Sequence, residues 1–147
     1  MNSNPFNLRV IEEFRANGGV VGGEFAGTPL LLLTTRGARS GELRTTPLVH
    51  LPDDAGRPHV FALNGGAPVA PAWYHNLRAH PEALRVELGG EVGADAFPAR
   101  AVEVTDPAEY EELWRRQVAA EPKFAEFRER AEGVGRVVPV VRLEHRR

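Results

Sequence analysis

The chain has 147 residues, 42% of them apolar and 26% charged, the make-up of one globular domain with a real core. A net charge of −2 disfavours general nucleic-acid binding, whose footprint is a basic domain or broad basic stripe, and the absence of cysteine removes disulfides and thiol chemistry. No apolar run has the roughly 18–20 residues that cross a bilayer, and MNSNPFNLRVIEEF lacks the basic and apolar regions of a secretory signal, so a cytoplasmic single domain over 1–147 is expected.

Residues 1–7 read as a polar, flexible tail. Phe6, Val10, Ile11 and Phe14 then recur at helical spacing up to Asn17-Gly18-Gly19. Arg9 and Arg15 are balanced by Glu12 and Glu13, unlike the basic polar face of a membrane-surface helix. The stripe is therefore read as packing on the domain, and this helix is the one segment through which membrane contact would be made. Leu30 to Thr35 is a continuous apolar run, the pattern of a strand covered on both faces. Arg44 to Leu51 reads as a second strand, with Pro47 pointing to an edge or a bulge. Asp53-Asp54-Ala55-Gly56 is a turn, and Pro58 to Asn64 a third strand broken by Gly65-Gly66.

Pro71 suits the first turn of a helix running to about Ala79. Leu84 to Leu88 is a strand, Gly89-Gly90 a turn, and Val92 to Val104 holds one or two further strands. Asp106-Pro107-Ala108-Glu109 has the form of a capping box with proline at the first helical position. The helix it opens puts Tyr110, Leu113, Trp114 and Val118 on one face, and a second short helix carries Phe124, Phe127 and Ala131. Val137 to Leu143 closes the chain as a strand. The fold class is α+β, a mostly antiparallel barrel with flanking helices.

Between the first two strands lies Arg36-Gly37-Ala38-Arg39-Ser40-Gly41-Glu42-Leu43-Arg44. Arginine forks, a serine hydroxyl and main-chain N–H groups at flexible glycines suit an anion, most often a phosphate. A solvated basic hairpin tip has the same composition. The loop lacks Walker A spacing and opens no helix. In the helix after Pro71, Trp73, Asn76 and Leu77 share a face, where a tryptophan could stack on a flat ring or sit in the core. His75 and His80 lack the spacing of a helical metal site, so no metal is expected, and no nucleophile elbow is present. With no nucleophile, metal or acid–base pair in evidence, a bound redox group is the natural bearer of any chemistry.

LLLLTTRGARSGELRTTPL, then LNGG, then APAWYHNLRAHPE, resembles the deazaflavin-dependent nitroreductase family of actinobacteria, which uses the 8-hydroxy-5-deazaflavin coenzyme F420. The resemblance runs from about Gly22 to Leu88 and more weakly to Val141. It implies a split β-barrel related to FMN-binding oxidoreductases. It also implies hydride transfer from the reduced coenzyme to an electron-poor small molecule such as a quinone or nitroaromatic.

By that resemblance Ala38, Arg39 and Ser40 bind the coenzyme phosphate, and Arg44, Thr45, Thr46, Pro47, Leu48 and Val49 continue the wall toward the ring. Phe61, Ala62, Leu63 and Asn64 line the deazaflavin. Ala72, Trp73, Tyr74, His75 and Asn76 form the other side, with Trp73 and Asn76 the main contacts and His75 a candidate proton relay. Asn64, Leu63 and Val49 stand where the best-known members carry Lys, Ser and Tyr. Glu121, Phe124 and Phe127 stand where those members line the substrate pocket with tyrosines. A pocket of Val49, Phe124 and Phe127 favours an apolar quinone over bicyclic nitroimidazoles. A protein that sequesters the coenzyme, or an FMN-dependent split-barrel reductase, would carry much of the same pattern. The sequence sets no oligomeric state.

Overall fold

The computed structural model describes residues 4–25, 27–89 and 95–146. Helix α1 spans Pro5–Ala16, and the Asn4 side chain caps it by accepting from the Phe6 and Asn7 N–H groups. The expected tail therefore stops short of Pro5: asparagine followed by proline is a helix start, and Asn4 to Asn7 belong to it. Strands β1 (Leu30–Arg36) and β2 (Leu43–Val49) form an antiparallel hairpin, followed by the short β3 (Leu51–Pro52) and β4 (Pro58–Phe61). Helix α2 spans Ala72–Ala79, β5 Leu84–Leu88 and β6 Asp95–Glu103. Helices α3 (Pro107–Ala120) and α4 (Lys123–Gly133) lead to β7 (Val140–His145). Asp106 caps α3 through its carboxylate and the Glu109 N–H, as the capping pattern predicts.

All strand pairs are antiparallel, in the order β2-β1-β5-β6-β7-β4-β3. The two outermost strands are consecutive in the chain and separated by His50 alone. One bent segment thus supplies both edges, and the sheet must curl back on itself to place Val49 beside β1 and Leu51 beside β4. This is the split-barrel, α+β architecture, and it corrects the expected continuous strand from Arg44 to Leu51. Pro47 sits opposite Leu32 on the outer strand, where its missing N–H costs no ladder bond.

The apolar run of β1 is buried on both faces because successive side chains alternate. Leu31 and Leu33 point into the barrel with Val60, Trp73, Leu77, Val86 and Val141. Leu30 and Leu32 point outward to Val10, Ile11 and Phe14 of α1. The N-terminal stripe is thereby spent on the domain, and Arg15 adds a two-pronged bond to Glu87 on β5. A third cluster joins α3 and α4 to the barrel through Phe61, Leu63, Trp114 and Phe124. The Phe61 and Trp114 rings meet edge to face at 4.8 Å.

Two further boundaries differ from expectation. β4 ends at Phe61 rather than Asn64, because Asn64, Gly65 and Gly66 all have positive φ (52°, 62° and 84°) and form a left-handed turn. β7 starts at Val140 rather than Val137. Within 136–139 the main chain is held by the Arg136 N–H bond to the Ala131 carbonyl, the Tyr110 hydroxyl on the Val138 carbonyl and the Ala62 N–H on the Pro139 carbonyl, with no strand ladder. The expected strand or strands from Val92 to Val104 are a single strand in the described part. Gly90 and residues 92–94 lie outside the described residues.

Candidate functional site

The tip of the β1–β2 hairpin is a tight turn. Gly41 N–H donates to the Gly37 carbonyl at 3.0 Å, and Gly37 N–H to the Glu42 carbonyl at 2.7 Å. Ser40 Oγ accepts from Glu42 N–H at 3.1 Å and folds over Gly37, where an added Cβ would sit 2.6 Å from it. Glycine is needed at position 37 for this close approach. Ser40 keeps its own hydroxyl proton to donate. The Arg39 and Ser40 N–H groups have no acceptor among the described residues.

Helix α2 stands against this turn, and Asn76 makes the join. Its side-chain oxygen accepts from Ala38 N–H at 3.0 Å, and its NH2 donates to Thr35 Oγ1 at 3.3 Å. Asn76 is 8% exposed and Thr35 1%, so the pair is an internal clamp. Between turn and helix opens a cleft of about 400 Å³. Gly37, Ala38, Arg39, Ser40 and Arg44 line it from the hairpin, and Ala72, His75 and Asn76 from α2. Among the described residues, no carboxylate lines it. Arg39 makes no ion pair or hydrogen bond among the described residues, whereas Arg44 reaches Glu42 at 3.8 Å. No side chain caps the start of α2, where Pro71 holds the N-cap position. The cleft brings guanidinium, hydroxyl, imidazole and main-chain groups together, a set whose chemistry suits an anion.

The structure thus brings the residues of the basic loop and one side of α2 together, and it sorts the other predicted residues differently. Trp73 lies in the barrel core at 7% exposure with Leu31, Leu33 and Val86, so its ring is a core element rather than a wall of this cleft. Tyr74 faces the opposite way, and its hydroxyl donates to the Glu103 carboxylate. Burial, aided by that carboxylate, pushes the Tyr74 phenol up to about 12. Tyr74 and Glu103 line a separate cleft of about 440 Å³ with Tyr110 and Val137. Among the wall residues of β2, Thr45 Oγ1 bonds Thr34 Oγ1 across the hairpin at 2.8 Å. Leu48 packs on the barrel core, Val49 bridges the two outer clusters, and Thr46 and Pro47 are half-buried.

Phe61, Ala62 and Leu63 are buried, and the Asn64 side chain donates to the Val69 carbonyl. Arg136 holds this segment: its guanidinium donates to the Ala62 carbonyl at 2.8 Å and to that of Leu63. Phe124 packs on Phe61 at 6.1 Å, Phe127 is half-buried beside it, and Glu121 accepts from Thr28 Oγ1 at 3.0 Å. Gly66 lets α4 close on the turn, since a Cβ there would meet the Phe127 carbonyl at 2.7 Å. Arg136 and Thr35 escape a reading of sequence because their partners lie 74 and 41 positions away.

The sequence matches the family described as F420H2-dependent quinone reductases over residues 8–145. The chain belongs to that family. An F420H2-dependent quinone reductase of Mycobacterium tuberculosis is 36% identical over 137 residues, which covers 90% of this chain and 85% of the relative. A solved F420-H2 dependent reductase, FDR-A, superposes with a TM-score of 0.65 at 33% identity, over 79% of this chain and 94% of that one. A structure described as a domain-swapped dimer gives 0.67 at 31% identity, covering 93% of each chain. The protein is accordingly an oxidoreductase of the split-barrel type whose cofactor is coenzyme F420. The cleft suits the acidic part of that coenzyme: Arg39, Ser40, Arg44 and His75 line it with groups that can donate, and the Arg39 and Ser40 N–H groups have no acceptor among the described residues. Among the described residues, no helix is long and apolar enough to cross a membrane.

Proposed function

We propose that this reductase delivers a hydride from reduced coenzyme F420 to a quinone-type acceptor, and that the cleft between the hairpin tip and α2 holds the coenzyme's phosphate. The observation that carries this is a cleft lined by two arginines, a serine hydroxyl and an imidazole, with no carboxylate among the described residues, in a chain whose net charge is negative. The bound deazaflavin supplies the hydride chemistry; the polypeptide supplies placement. Arg39 and Arg44 engage phosphate oxygens, with the Ser40 hydroxyl and the Arg39 and Ser40 N–H groups completing the set. Asn76 touches the loop rather than the coenzyme, and fixes the direction in which those N–H groups point.

The ring then lies along β2 toward Val49 and the Ala62–Asn64 turn. Arg136 holds two carbonyls of that turn and so fixes its shape. The acceptor meets the half-buried Phe127 and Val49, a surface with few hydroxyl donors, which suits a quinone better than a nitroimidazole. Tight positioning matters because hydride transfer needs donor and acceptor carbons about 3–3.5 Å apart. The test is to mix the protein with reduced F420 and menadione and follow reoxidation by absorbance. Oxidation above the uncatalysed rate supports the reading. Binding of F420 without turnover would favour sequestration, and preferential binding of FMN would remove the deazaflavin reading.

A further inference from the structure

Both tyrosines of the chain, Tyr74 and Tyr110, line one cleft, separate from the cleft of the basic loop. This cleft opens where the β6–β7 ladder stops. The last pair is Glu103 with Val141, and the Val104 N–H adds one bond to the Val140 carbonyl at 2.9 Å. Beyond it one segment turns into α3 at Pro107, and the other, Val137 to Pro139, lies outside any strand, so the two part. The space between them measures about 440 Å³. We propose that it is a second small-molecule site, for an organic ammonium ion with an apolar body. The proposal is independent of the cofactor reading.

Charge and ring chemistry select that class. Among the described residues, Glu103 is the one side chain lining the cleft that is ionised at neutral pH. Its hydrogen-bond partner is the Tyr74 hydroxyl, and it makes no ion pair among the described residues. Tyr74 is 7% exposed, so the phenol that holds this carboxylate is itself buried. Tyr110 spends its hydroxyl proton on the Val138 carbonyl at 2.7 Å. Both phenol protons are thus used inside the protein, and the tyrosines have π-surface and oxygen lone pairs left to offer. Each ring already takes a cation within the fold: Arg78 lies over Tyr74 at 5.7 Å and Arg128 over Tyr110 at 5.4 Å. Neither arginine lines this cleft. Arg78 lines the neighbouring one, and Arg128 is held by Glu111 and Glu132. On β7, Arg142 is held by Glu109 and Glu144. Asp106 stands between the lining residues Thr105 and Pro107 and offsets the positive end of α3. Val104, Pro107, Val137 and Pro139 supply apolar wall. An ammonium group here pairs with Glu103 and lies against aromatic rings, while its hydrocarbon part covers the valines and prolines. A neutral molecule forgoes the charge, and an anion meets Glu103 unscreened.

The experiment titrates 2-phenylethylammonium into the isotopically labelled protein and follows the amide signals, with 2-phenylethanol as the neutral comparator. The Thr105 and Val138 signals should shift to saturation, and those of Arg39 and Ser40 should stay in place. The ammonium should bind about 3- to 30-fold more tightly than the alcohol. Glu103→Gln keeps an acceptor for the Tyr74 hydroxyl and should weaken the ammonium about two- to fivefold while leaving the alcohol unchanged. Val137→Arg puts a positive charge at a rim position that is 73% exposed, should weaken the ammonium in the same direction, and decides the matter if Glu103→Gln does not fold. Equal binding of ammonium and alcohol overturns the proposal. So does a titration in which Thr105 and Val138 do not saturate, or ammonium binding that the folded variants leave unchanged.

Discussion

Replacing Asn76 by alanine and by aspartate separates the support of the anion loop from its charge. The Ala38 N–H can only donate, so the Asn76 oxygen must face it and the NH2 must face Thr35. Alanine deletes both bonds and strands the Thr35 hydroxyl at 1% exposure. Two neutral hydrogen bonds at about 1 kcal/mol each, with a buried hydroxyl left unpaired, give a loss of about 2–4 kcal/mol. In a chain of this size that lowers the melting temperature by roughly 5–15 °C. Aspartate behaves differently, because its carboxylate accepts from Ala38 N–H and from the Thr35 hydroxyl, which turns to donate. Asn76→Asp keeps both bonds but buries a carboxylate at a position that is 8% exposed, so it too should be destabilised, while it adds a negative charge beside the cleft. A like charge near a bound anion at a partly exposed site costs on the order of 1–2 kcal/mol, or about 5- to 30-fold in affinity. Calorimetry and titration with oxidised F420 read the two effects. An alanine variant that melts with the wild type would refute the clamp. A folded aspartate variant that binds F420 as tightly as wild type would refute the placement of the phosphate.

Three other expectations follow from the same geometry. Arg39→Ala removes a charge-assisted bond of about 1.5–3 kcal/mol and should weaken F420 binding roughly 10- to 150-fold, with a flatter salt dependence than wild type; a change under about twofold would take Arg39 out of the site. Gly66→Ala forces a Cβ to 2.7 Å from the Phe127 carbonyl at φ +84°, and should destabilise by about 2–4 kcal/mol by denaturant melt, whereas unchanged stability would mean that α4 is free to move off the turn. Burial, reinforced by the neighbouring His59, pushes the His50 imidazole down to about 4. Its folded value lies below the ordinary 6.5, so this contribution to stability is full above pH 6.5 and is lost as the pH falls through 4. Thermal melts should decline across that window, and His50→Gln should flatten part of the decline; an unaltered slope would remove His50 as a cause.

What could be read from the sequence follows a physical line. Local patterns were legible: the N-cap at Asp106, the exact bounds of β5 and the double-sided run of β1 each encode their structure within a few residues. The grouping of the basic loop was legible too, because its arginines, serine and glycines stand close together in the chain and line one cleft. Long-range decisions were not. The division of one extended segment at His50, which lets it serve both edges of the sheet, depends on barrel closure rather than on local preference. Trp73 and Asn76 share a helix face, as their spacing predicts, but only the tertiary packing sends the tryptophan into the core and the amide to Ala38. The left-handed turn at Asn64 was hidden because the residues before it look like strand, and its shape is fixed by Arg136 from far along the chain.

The most direct measurement of the central claim is the amide spectrum of the isotopically labelled protein during titration with oxidised F420, beside the riboside that lacks the phosphate. The Arg39 and Ser40 amide signals should shift strongly with F420 and little with the riboside, while signals along β2 respond to both. Unmoved Arg39 and Ser40 signals at saturating F420 would contradict that claim.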